Sequence, residues 1–183
     1  MMLTHQGTQV LETSRLLLRP FILEDAPAMY HNWASDPQVC RYLTWPVHQD
    51  ESISRMVLAD WVASYTDKTF YQWAIVIKES GQPIGSISAM HINEQIESVE
   101  IGYCIGHPWW HQGITSEALQ AVIDYLFKAG FSRIYARHDT QNPHSGAVMR
   151  KCGMTCEGTL RRSDRNNTGI CDATYYAILR EEW

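Results

Sequence analysis

The chain has 183 residues, 45% of them apolar and 11% aromatic, enough to bury a full core as one domain without disulfide or metal staples. Fifteen Lys and Arg against twenty Asp and Glu give a net charge of −5, which excludes a generally basic nucleic-acid binder. No run of about 18 apolar residues is present to cross a bilayer, and the segment MMLTHQGTQVLETSRLLLRP lacks the apolar stretch of a signal peptide. Five cysteines (Cys40, Cys104, Cys152, Cys156, Cys171) cannot all pair and show no disulfide spacing, so a reduced, cytoplasmic protein is expected. Without repeats, low-complexity tracts or linkers, residues 1–183 read as one domain.

In chain order, Arg15–Arg19 is a short apolar strand stopped by Pro20. From Glu24 to Ala34, the residues Ala26, Met29, Tyr30 and Trp33 share one helical face, closed by Asp36-Pro37. A second helix over Asp50–Tyr65 stripes Ile53, Met56, Val57 and Trp61. Strands at Thr69–Ile77 and Ile84–His91 flank the turn Ser80-Gly81-Gln82-Pro83, and a turn at Asn93–Gln95 leads into the strand Glu97–Ile105. A helix over Ser116–Ala129 puts Ala118, Leu119, Val122, Ile123, Leu126 and Phe127 on one stripe, with Gly130 as its stop. A strand at Arg133–Arg137 follows, then a helix with Asn142 as N-cap, Pro143 as first residue and Gly153 beyond its end. Strands near Gly158–Arg162 and Thr174–Leu179, joined through Asn166-Asn167-Thr168-Gly169, complete an α+β domain with a mixed sheet.

The chemistry concentrates in Glu100–Leu119, EIGYCIGHPWWHQGITSEAL. A strand ends at Ile105-Gly106, Pro108 breaks it, and a loop with Gly113 opens an amphipathic helix. Free N–H groups at such an N-terminus attract anions, and the turn on glycine gathers them around one phosphate. No Lys follows Gly113, which argues against a triphosphate loop, and no GxGxxG is present for a dinucleotide. Charge is uneven: residues 131–166 hold seven basic and three acidic residues, +4, which leaves −9 on the remainder and suggests a local anionic ligand. His107, His111, Cys152 and Cys156 match no zinc spacing, so no metal is expected.

The window Trp110-His111-Gln112-Gly113-Ile114-Thr115 resembles the Gln/Arg-x-x-Gly-x-Gly/Ala signature of the GNAT superfamily of acyl-CoA-dependent N-acetyltransferases. Gly113 matches, whereas Trp110 and Thr115 depart from it. RLLLRPFILEDAPAMY, EIGYCI, GITSEAL and NPHSGAVMRKCGMTCEGTLRR resemble, in order, the RimJ/RimL-type branch that contains ribosomal-protein N-terminal alanine acetyltransferases, over roughly residues 13–182. The resemblance implies a GNAT-like, mainly antiparallel central sheet flanked by helices, and acetyl-CoA as co-substrate. It places the coenzyme pyrophosphate on backbone amides of His111, Gln112, Gly113, Ile114, Thr115 and Ser116. It places the pantetheine arm along Cys104, Ile105 and Gly106, with Asn142 touching the arm. Glu117, a carboxylate beside this anion site, is expected to stabilise the helix dipole instead.

Acetyl transfer to a primary amine by direct attack needs a proton acceptor, a polarised carbonyl and a proton for the leaving thiolate. The resemblance implies Glu100 as base. For the acid, the position where many GNAT enzymes carry a Tyr falls on Met149, so Ser145 is the candidate, with Tyr175 and Tyr176 as further proton donors. Trp33, Trp45 and Trp61 lie in the acceptor-side region. The expected acceptor is a protein or peptide N-terminal α-amine. The alternatives are a small amine (polyamine, amino acid or aminoglycoside-like) or an acyl-CoA-binding module without catalysis. A monomer or homodimer that binds no nucleic acid and no membrane is expected.

Overall fold

The computed structural model describes residues 3–183 and contains one eight-stranded sheet. Its strands are β1 (Leu11–Glu12), β2 (Leu16–Arg19), β3 (Tyr71–Ile77), β4 (Pro83–Asn93), β5 (Ser98–Ile105), β6 (Arg133–Asp139), β7 (Thr155–Asn166) and β8 (Gly169–Leu179). Among the described residues the spatial order is β1-β2-β3-β4-β5-β6-β8-β7, and only β5 and β6 run parallel. The helices are α1 (Ala26–Met29), α2 (Pro37–Cys40), α3 (Glu51–Ser64), α4 (Ile114–Ala129) and α5 (Pro143–Lys151). The architecture is the mixed α+β sheet expected from the alternation of elements.

Two cores cover the two faces of the sheet. On one, the α4 stripe Ala118, Leu119, Val122, Ile123, Leu126 and Phe127 is buried against Leu16, Leu18, Val99 and Ile101. On the other, Phe21, Met29, Trp33 and Leu58 pack on Ala74 and Val76. Successive β3 residues Trp73, Ala74 and Ile75, which point to opposite faces, are all fully buried, so this strand is sandwiched rather than half-wet.

Several elements differ from expectation. The helix predicted over Glu24–Ala34 is three short pieces, and its last turn widens so that Ser35 N–H reaches Tyr30 O at 3.1 Å. The widening presents the Asn32 carbonyl to Gly106, where a Cβ would lie 2.2 Å from it. Helix α4 starts at Ile114, two positions before the predicted Ser116, because Gly113 already turns the chain at φ +73°. The last two strands are far longer than predicted, 12 and 11 residues, and β7 is exposed over most of its length. Their polar residues carry no apolar alternation to announce a strand. The β1 pair was not predicted at all. Asn142 occupies the predicted N-cap position of α5, but its side chain makes no capping bond.

Candidate active site

The parallel pair β5–β6 fixes the site. It holds register over only Ser98–Glu100 against Arg133–Tyr135. Beyond Glu100, β5 stays with β4 out to Ile105, while β6 follows β8 out to Asp139. The strands therefore part, and a cavity of about 620 Å³ opens at the wedge. Its walls are Tyr103, Cys104 and Ile105 of β5, the loop residues Trp109, Trp110, His111 and Gly113, the first turn of α4, and α5 from Asn142 to Lys151. Gln38, Val39, Tyr42 and Leu43 close the remaining side.

Two helix N-termini meet in this cavity. The N–H groups of Ile114, Thr115 and Ser116 have no intrahelical acceptors, and glycine at the cap offers no side chain to satisfy them. The first turn of α5 is likewise uncapped by Asn142, whose side chain is left to the cavity. Cations reinforce these dipoles. A Cβ at Gly113 would lie 3.3 Å from Lys151 Nζ and 3.7 Å from Arg15 Nη2. His111 and His144 stack edge-on at 5.0 Å between their ring centroids.

Arg15 is held over the loop by Glu117. The carboxylate accepts from Thr13 Oγ1 (2.6 Å), Ser14 Oγ (3.0 Å), Arg15 N (3.0 Å) and Arg15 Nε (2.7 Å). Arg15 Nη1 continues to the carbonyl of Gln112 at 3.0 Å. Partial burial alone raises the Glu117 carboxyl, but these four donors outweigh it and hold it at about 2. Glu117 thus clamps the N-terminal strand turn to α4, a role beyond the helix dipole.

Of the residues predicted to hold the coenzyme, Cys104, Ile105, His111, Gly113, Ile114, Thr115, Ser116 and Asn142 line the cavity. Gly106 and Gln112 do not. The Gly106 N–H is committed to Ile84 O at 2.9 Å, and its missing side chain admits Asn32 and Trp109. The Gln112 side chain turns back to Pro108 O at 2.9 Å. Ser145 lines the cavity and meets Tyr103: the phenol donates to Ser145 O at 2.9 Å, and its oxygen lies 3.1 Å from Ser145 Oγ. This pair spans the wedge between β5 and α5, and burial pushes the Tyr103 phenol well above its ordinary range. Burial also raises the Cys104 thiol, which keeps it protonated beside Ser86 Oγ at 3.4 Å and poorly suited to nucleophilic attack.

Glu100 lies outside the cavity lining, 6% exposed, with both oxygens engaged. Arg137 Nη1 holds Oε1, and His91 Nδ1 lies 2.9 Å from Oε2. Arg137 in turn reaches Asp164 Oδ2 at 2.7 Å. Trp33 is fully buried in the second core, and Trp45 and Trp61 pack against that core, whereas Trp109 and Trp110 line the cavity. Tyr176 receives Arg150 Nη1 at 2.8 Å, and neither it nor Tyr175 lines the cavity. His107 stacks on Trp110, and Cys152 donates to Ser116 O, so those residues serve packing. Sequence reasoning missed Arg15, Tyr103, His144 and Lys151. Only Lys151, seen as one of the basic residues 131–166, left any signal in composition.

A sheet split at its parallel pair, with two helix N-termini and cations facing the split, makes a site suited to an anionic ligand. The chain belongs to the GNAT acetyltransferase family: the model of the Acetyltransferase (GNAT) domain matches residues 15–155. It is similar to the N-acetyltransferase p20 of Bacillus licheniformis, 30% identical over 180 residues that cover 96% of this chain and 98% of that one. The ribosomal-protein-serine acetyltransferase of Escherichia coli is 30% identical over 140 residues, 75% of this chain and 76% of that one. A GNAT-family acetyltransferase from Bacillus anthracis superposes with a TM-score of 0.83 at 27% identity, covering 95% of this chain and all of that one. The protein is accordingly an acetyltransferase, and the acetyl donor of its family is acetyl-CoA. Among the described residues no helix is long and apolar enough to cross a membrane.

Proposed function

We propose that residues 1–183 form one N-acetyltransferase domain that moves acetyl from acetyl-CoA to the N-terminal α-amine of a protein or peptide. The observation that carries the donor half is the wedge itself. Two uncapped helix N-termini, Lys151 and Arg15 surround a space next to the free edge of β5. Pyrophosphate suits the α4 terminus. An extended amide-bearing arm suits the β5 backbone where β6 has departed, as an added strand would. For the acceptor half, the kinship with a ribosomal-protein-serine acetyltransferase supports a protein substrate. An α-amine of pKa about 8 is also easier to deprotonate than a lysine near 10.

In this reading the amine attacks the thioester directly, since the raised Cys104 thiol makes a poor nucleophile. Glu100 supplies the negative charge that draws off the acceptor proton, and Ser145, joined to Tyr103, returns one to the departing sulfur. A panel of peptides beginning with Ser or Ala, spermidine, free amino acids and an aminoglycoside, read by thiol release from acetyl-CoA, tests it. Turnover of the Ser and Ala peptides is expected. Turnover of spermidine alone sinks the peptide acceptor, and tight acetyl-CoA binding without any turnover sinks catalysis.

A further inference from the structure

We propose that His91 is the proton acceptor of the transfer reaction and that Glu100 works by positioning it. The proposal rests on the acetyltransferase reading above and refines the proton's route within it.

The backbone at His91 is the first observation. Met90 pairs with Glu100 across β4–β5, but the register breaks between Met90 and Asn93. In an unbroken strand the next side chain would turn to the opposite, α4-covered face. His91 instead adopts φ +52°, a left-handed conformation that is strained for a non-glycine residue. A bulge re-aims a side chain, and here it brings a second consecutive residue onto the Glu100 face. Such strain persists where the surrounding contacts over-determine it.

The imidazole's contacts are the second. Nδ1 lies 2.9 Å from Glu100 Oε2, while the side chain as a whole is 62% exposed and Glu100 only 7%. A buried carboxylate on one nitrogen and solvent on the other is the arrangement of an oriented base. The carboxylate fixes the Nδ1–H tautomer, leaves the Nε2 lone pair free, and stabilises the imidazolium once formed. The charged and titratable groups around this pair are Glu100 of β5, Tyr135 and Arg137 of β6 and, behind them, Asp164 of β7. Glu100 is poorly placed to take the proton itself, because it is buried outside the cavity lining with both oxygens held, one by Arg137 and one by His91. Along β5, Glu100, Gly102 and Cys104 share a face, and Cys104 lines the cavity. Gly102 has no side chain of its own, but Met90 Cε and Ser88 Oγ lie 3.0 and 3.7 Å from where its Cβ would stand, so the relaying water runs past them on the solvent side.

The balance is as follows. The acceptor ammonium gives one proton, through water, to His91 Nε2. The freed nitrogen lone pair forms the C–N bond to the thioester carbon, and the C–S bond breaks with its electron pair on sulfur. The second amine proton ends on that sulfur, and the imidazolium releases the first to solvent.

The test uses His91→Asn, because Asn tolerates left-handed backbone and keeps the bulge foldable, and His91→Gly, which leaves room for added imidazole. With acetyl-CoA and the Ser and Ala peptides, both variants should lose about 100-fold in kcat/KM at pH 7, with acetyl-CoA affinity within about 2-fold of normal. The wild-type fall in rate toward acid pH should vanish, and free imidazole should restore His91→Gly, an effect a structural role would not produce. Nitrogen NMR of the imidazole should find Nδ1 protonated and Nε2 bare at pH 8. A wild-type rate in His91→Asn, an unmoved pH profile, no rescue, or an Nε2–H tautomer overturns the proposal. Absence of turnover by the wild-type protein on every acceptor instead overturns the acetyltransferase reading beneath it.

Discussion

Replacing Glu117 by Gln perturbs the joint between the N-terminal strands and the loop before α4 with almost no change of shape. Glu117 is only 17% exposed at its side chain, and its four donors hold its carboxyl at about 2 against an ordinary 4.5. That difference corresponds to about 3 kcal/mol of preference for the anion in the folded state. Glutamine keeps one acceptor oxygen but turns an amide toward Arg15, so a loss of about 2–3 kcal/mol is expected at pH 7. In a chain of this length that lowers Tm by roughly 5–10 °C. Because the folded-state value is depressed, the stabilisation is complete above about 4.5 and disappears as pH falls toward 2. At pH 3 about half should remain. Urea unfolding of wild type and Glu117→Gln at pH 7, 5 and 3 reads this directly. The variant should also raise the acetyl-CoA KM about 5-fold, because Arg15 then loses its anchor over Gln112. A difference below about 0.5 kcal/mol at pH 7, or one that is the same at pH 7 and pH 3, would refute the electrostatic account.

Gly113→Val should weaken acetyl-CoA binding by at least about 10-fold in calorimetry. It forces a branched residue to φ +73° and drives a side chain toward Lys151 where phosphate is proposed to sit. Ser145→Ala should lower kcat about 10- to 100-fold with acetyl-CoA KM within about 3-fold, measured by thiol release, if its hydroxyl protonates the leaving sulfur. Asn167 at the β7–β8 turn donates Nδ2 to Cys40 O (2.8 Å) and Trp45 O (2.7 Å), and its N–H reaches Leu43 O (3.2 Å). Asn167→Ala should therefore speed hydrogen exchange across residues 40–45 and raise the acceptor KM, while acetyl-CoA KM stays put.

What was legible in the sequence follows from which signals are local. The α4 stripe obeys a 3.6-residue period over 16 residues, and all six predicted positions are buried. Gly113 announces the loop because only a left-handed residue turns the chain there. The two strands of the β7–β8 hairpin and their turn were read from the sequence but too short, because an exposed, charged stretch such as TLRRSDRN has no dry face to pattern it. Asn142 shows the limit of a capping rule. The residue type and the following Pro143 were right for a cap, but the ψ of 66° carries no side-chain bond. Contacts between distant segments were out of reach. Nothing in the sequence pairs Arg15 with Gln112, 97 positions away, or Tyr103 with Ser145, 42 away.

The uneven charge therefore needs a different account from the one its position along the chain suggested. Of the seven basic residues in 131–166, only Lys151 lines the cavity. Arg133 is spent on Glu157, Arg137 on Glu100 and Asp164, and Arg150 on the Tyr176 hydroxyl. Arg161, Arg162 and Arg165 lie on the exposed β7 strand. A field summed over the segment would thus act mainly on the hairpin, some distance from the loop. The proposed anion cradle draws instead on backbone dipoles of α4 and α5, one lysine from the basic segment, and Arg15 from outside it. Main-chain donors do not depend on side-chain identity. On that reading Trp110 and Thr115 can replace the usual signature residues while the loop keeps its turn, whereas a side chain at Gly113 would be strained at φ +73° and would press on Lys151 and Arg15.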